Sequence, residues 1–116
     1  MTRKTIAAAA LLTAALANPA LALERWVRIH NSGNASIWSV QMTHVDDGGW
    51  GRDLLENYVI PVGSTATLEP DRHQGYCKFD VRIIYNGGRE VELRGVNLCT
   101  ARDITASDNG YTNVSY

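Results

Sequence analysis

The sequence predicts an all-β fold, a small antiparallel β-sandwich or barrel of about six or seven short strands with one disulfide. Short runs of alternating polarity recur along the chain, Gly, Asn and Asp stand between them, and the only two cysteines, Cys77 and Cys99, lie near one another. Composition agrees. With 116 residues, 45% hydrophobic and 20% charged, the chain suits one ordinary globular domain rather than a disordered, collagenous or membrane-embedded one.

The N-terminus reads as an export signal. Arg3 and Lys4 precede an apolar run from Ile6 to Ala17, and Ala20-Leu21-Ala22 offers a cleavage site, so residues 1–22 are expected to be removed and Leu23 to begin the mature chain. The run is shorter than the roughly 20 residues that a helix needs to cross a bilayer, and nothing comparable follows it. The expected location is therefore periplasmic or secreted, with no transmembrane segment after signal removal. Of the eleven basic residues, loss of Arg3 and Lys4 leaves nine against twelve acidic ones, a formal net charge of −3. Lys78 is then the only lysine, and the arginines are scattered from Arg25 to Arg102. Nucleic-acid binding needs clustered cations, so it is not expected. In an oxidising compartment two cysteines in a small domain pair, and a Cys77–Cys99 bridge should contribute roughly 3 kcal/mol.

Taken in order, the first expected strand is Arg25 to His30, with Val27 and Ile29 on one side and Trp26, Arg28 and His30 on the other. The second, Ile37 to Met42, groups Trp38, Val40 and Met42 on one side. Asn31-Ser32-Gly33-Asn34 between them reads as a turn, which would make an antiparallel hairpin with Val27 and Ile29 facing Trp38 and Val40. Asp53-Leu54-Leu55-Glu56 has capping-box spacing and predicts a single helical turn. Ile60-Pro61-Val62-Gly63 is a turn signal, followed by a short strand from Thr65 to Leu68 and a polar loop from Pro70 to Gly75.

Residue parity fixes the next hairpin more tightly. Cys77, Phe79, Val81, Ile83 and Tyr85 form a core-facing side, and Val91 and Leu93 are the apolar positions of the returning strand. Both sets are odd-numbered, so the loop must hold an odd number of residues. Asn86-Gly87-Gly88 supplies it and places Tyr85 opposite Arg89. Cys77 would then face Asn97, leaving Cys99 a diagonal neighbour. The apolar phase switches at Gly95, from Val91 and Leu93 to Val96 and Leu98, which predicts a bulge there. The domain is expected over residues 23–104. Segment 105–116 is expected to be a tail or one weak last strand turned by Asp108-Asn109-Gly110.

Catalytic chemistry finds little support. His30, His44 and His73 lack the close spacing of a zinc pair, there is no G-x-S-x-G elbow, and bridged cysteines supply no thiol. The protein is not expected to be an enzyme. Asp46-Asp47-Gly48-Gly49-Trp50-Gly51-Arg52-Asp53 is the densest local feature. It has three readings: calcium bound by Asp46, Asp47 and Asp53, a solvated loop pinned by a buried Trp50, or an exposed loop offering Trp50 and Arg52 to a ligand. Trp26, Arg28 and His30 form either a binding face, since Trp and Arg are enriched in hot spots, or a surface on which Trp26 packs beneath that loop.

The landmarks Trp50-Gly51-Arg52-Asp53-Leu54-Leu55, Pro61-Val62-Gly63-Ser64, Cys77-Lys78-Phe79-Asp80 and Val96-Asn97-Leu98-Cys99 resemble those of a group of small exported proteins found mainly in alphaproteobacteria. The pattern is W-G-x-D-L-L, a P-x-G-S turn, C-x-[FY]-D and a closing V-[ND]-x-C. The likeness spans about Val27 to Cys99, and the segment after Cys99 extends beyond the group's usual end. It implies an exported β-rich domain with paired cysteines and brings no catalytic residues. The expected function is a binding module of the cell envelope, such as a hydrolase inhibitor, whose partner is an envelope or extracellular protein. The alternatives are a calcium-binding stability or adhesion domain and, third, a hydrolase. No cofactor other than calcium is expected.

Overall fold

The computed structural model describes residues 24–71, 75–107 and 112–116. The signal segment, His73 and the Asp108-Asn109-Gly110 turn lie outside them. The described chain is all-β and forms two sheets with one core between them. Its strands are β1 (Val27–Asn31), β2 (Ile37–His44), β3 (Thr65–Leu68), β4 (Lys78–Tyr85), β5 (Glu90–Asn97), β6 (Asp103–Ala106) and β7 (Thr112–Ser115). The four-stranded sheet runs β3-β1-β6-β7 and the three-stranded sheet β2-β4-β5.

Alternation sets which side chains enter the core. Val27 and Ile29 from β1 and Ile104 from β6 meet Val40 from β2 and Phe79, Val81 and Ile83 from β4, all of them fully buried. The β4–β5 hairpin has the register that parity requires. Ile83 pairs with Val91, and the Tyr85 N–H donates to the Arg89 carbonyl at 2.9 Å. The bulge falls at Gly95. Arg94 and Gly95 together oppose Asp80, Gly95 adopts φ +67°, and the Asp80 carboxylate accepts its N–H at 2.9 Å. Beyond the bulge Lys78 rather than Cys77 faces Asn97. This shift brings Cys77 and Cys99 to a Cα separation of 5.2 Å, and the disulfide closes.

The expected β1–β2 hairpin does not form. β1 pairs with β3 antiparallel and with β6 parallel, so one ladder departs from an all-antiparallel fold, while β2 belongs to the other sheet. The buried Asn31 side chain explains the break. Its carboxamide donates to the Ala35 and Ile60 carbonyls at 2.9 and 3.0 Å and accepts the Gly33 N–H at 2.9 Å, so the turn carries the chain across the sandwich. Trp38 also departs from expectation. A register shift between Ile37 and Ser39 makes it the extra residue of a bulge, expelled from the side that Val40 and Met42 share.

Candidate functional site

The outer face of the four-stranded sheet holds Trp26, Arg28 and His30, as alternation predicts, and the sheet itself uses all three. Arg28 grips Asp103 of the neighbouring β6 through Nε and Nη2 at 2.6 and 3.0 Å. His30 Nε2 meets the same carboxylate at 2.7 Å, while Nδ1 lies 2.8 Å from the Thr65 hydroxyl on β3. A hydroxyl, an imidazole and a carboxylate in series have the wiring of a nucleophile triad. Here Arg28 shares the carboxylate, and the row staples β3, β1 and β6 together. Hydrogen bonds from Arg28 and then His30 hold the Asp103 carboxyl well below the usual carboxylate range.

Trp26 does not pack under the 46–53 loop, because β1 and that loop belong to different sheets. Its ring lies between two guanidinium groups, Arg28 at 5.3 Å and Arg102 at 4.5 Å. Arg102 also donates to the Trp26, Ala101 and Cys99 carbonyls at 2.9, 2.6 and 3.1 Å, and so fixes the turn that leads from the disulfide to β6.

The three-stranded sheet repeats the device. Trp50 folds back over its outer face and sits half-buried between Arg82 and Arg94, each 5.0 Å from the ring. Arg82 donates to Gln41, Arg94 donates to Asp80 and Glu92, and Gln41 in turn donates to the Gly51 carbonyl at 2.8 Å. Loop 46–53 is therefore tied to the sheet through Trp50 and Gln41. Arg52 is held by a bidentate pair to Asp71 at 2.5 and 2.9 Å and by Glu56 at 2.8 Å, contacts that raise its pKa.

The three loop carboxylates go separate ways. Asp53 accepts the Val40 and Leu55 N–H groups at 3.0 and 2.9 Å, Asp47 accepts the Gly48 N–H at 2.9 Å, and Asp46 is exposed. Among the described residues no group of three or more His, Cys, Asp or Glu side chains is placed to hold a metal ion. Half of the expected capping box exists: Asp53 caps, but Glu56 pairs with Arg52 instead of reaching back, and the segment is a turn rather than a helix.

A different surface stays open. Trp38 is 54% exposed and Tyr58 76%, and with Val59, Glu56 and Asn57 they line one shallow groove beside the edge strand β2. None of the sequence patterns singled out this groove. Strict alternation placed Trp38 in the core, and the Asn57-Tyr58-Val59 segment has no period of its own.

Fold and disulfide thus define a small disulfide-bonded β domain. Comparison with family models, with curated proteins and with solved structures finds no match for this chain.

Proposed function

We propose that the protein is an extracytoplasmic binding module and that it makes its contact through the groove of Trp38, Tyr58 and Val59. The disulfide belongs to an oxidising compartment, which supports the export reading of residues 1–22 and a periplasmic or secreted location. The observation that carries the binding reading is the bulge at Trp38. A bulge re-aims a side chain, and this one turns a large aromatic outward, where burying it within the fold would have been more favourable. Neighbouring Tyr58 and Val59 make the exposure contiguous, as at interaction sites. Trp26, Arg28, Trp50 and Arg52 are engaged in intramolecular pairs, so they serve as framework on this reading and not as contact residues.

Co-sedimentation of the oxidised protein with isolated native cell envelopes provides the test. Trp38→Ala and Tyr58→Ala should each lower retention while leaving the melting temperature in place. Retention of Trp38→Ala equal to wild type would remove the groove from the account.

A further inference from the structure

We infer that the groove takes an oligosaccharide, a reading that rests on the binding role proposed above and adds the class of ligand. The lining has two parts with different chemistry. Trp38, Tyr58 and Val59 bring aromatic and aliphatic side chains to it, and Glu56 and Asn57 bring an acid and an amide to the same lining. A pyranose ring has the matching pair of surfaces: a face of C–H groups that packs on an aromatic ring, and an edge of hydroxyls that bonds to carboxylates and amides. The core of a protein–protein contact would be depleted of charge, whereas the lining of this groove includes Glu56, whose side chain is 62% exposed. The groove is open and holds about 270 Å³, which suits a segment of a longer chain lying across the surface rather than a ligand enclosed on all sides.

The polar half of the groove is also held in position. Glu56 Oε2 accepts from Arg52 Nη1 at 2.8 Å, and Arg52 is in turn fixed by its two bonds to Asp71. A carboxylate oriented in advance loses less freedom on binding. Glu56 is, moreover, the one non-glycine residue with positive φ among the described residues, at +59°. That conformation is costly for a side-chain-bearing residue, and such outliers concentrate at ligand clamps. Glycine would adopt it without strain. Backbone conformation alone would therefore favour Gly at this turn, and what Glu56 supplies in its place is a side chain that Arg52 holds at the groove.

The experiment measures retention of the oxidised full chain on native envelopes that have been treated with periodate, which cleaves vicinal diols, or with proteinase K, and then washed. Retention should survive proteinase K and be lost after periodate. Glu56→Gly should bind at least about tenfold more weakly while its melting temperature holds or rises, which a purely structural Glu56 would not produce. Retention that survives periodate but is lost after proteinase K overturns the oligosaccharide and leaves the binding module standing with a protein partner. No retention on untreated envelopes overturns both.

Discussion

Trp26 and Trp50 lie on opposite sheets and are treated alike, whereas Trp38, within the second sheet, is treated oppositely. Each of the first two is clasped between two guanidinium groups whose own charges are met by carboxylates or carbonyls of the same face. Trp38 is pushed outward by a bulge and meets solvent. The difference teaches that an aromatic and an arginine on a strand's outer side do not by themselves mark a contact surface. A domain with so small a core closes both outer faces with stacked Trp–Arg layers, each stack contributing about 0.5–1 kcal/mol per cation at exposed sites. What distinguishes a contact aromatic is that the fold leaves its ring without a stacking cation.

The heaviest blow to the framework is loss of the bridge. Cys99→Ser should lower unfolding free energy by about 2–4 kcal/mol, read by urea denaturation, and should disturb the indole environments of Trp26 and Trp50 together. The reason is that Arg102, which stacks on Trp26, grips the carbonyl of Cys99, and Arg94, which stacks on Trp50, sits at the bulge whose register aligns the cysteines. Trp38 should keep its spectrum.

Next come the stacks themselves. Trp26→Ala and Trp50→Ala should each cost about 1–2 kcal/mol, a similar figure for both because both rings are half-buried between two cations. A Trp26→Ala protein as stable as wild type would break the symmetry and reopen the β1 face as a contact surface.

Acid separates the two faces further. The Asp103 carboxyl is held below its ordinary value by Arg28 and His30. Its folded pKa is therefore lower than its unfolded pKa of about 3.9, so the stabilisation is complete above that value and is lost as pH falls through the folded one. Asp103→Asn should flatten this acid limb of the stability curve and leave the profile near neutrality parallel to wild type. An unchanged acid limb in the variant would contradict the staple.

The smallest effect on stability belongs to Trp38→Ala, within about 0.5 kcal/mol, although its effect on envelope retention should be the largest of the set.

How far the sequence revealed this arrangement differs from one element to the next. In the β4–β5 hairpin, local periodicity, the three-residue loop and the phase change at Gly95 all refer to neighbours in the chain. Its register, bulge and disulfide were accordingly legible. β1 pairs with strands far along the chain, as Ile29 does with Ala66 and with Ile104, 37 and 75 residues away. No local turn encodes those partners, and the Asn31 turn looks like a hairpin until its carboxamide is seen reaching Ile60. The candidate site failed for a related reason. Its aromatics come from a bulge that interrupts a clean alternation and from a turn without period, while the more conspicuous Trp26, Arg28, Trp50, Arg52 and Asp53 are held by partners elsewhere in the fold.

The three tryptophans make the central claim measurable in one spectrum, since each gives one indole N–H resonance. Solubilised native envelope extract added to the ¹⁵N-labelled oxidised protein should shift or broaden the Trp38 resonance and leave those of Trp26 and Trp50 in place. Perturbation of Trp26 or Trp50 with Trp38 unmoved would contradict the account and return the contact to the arginine-stacked faces.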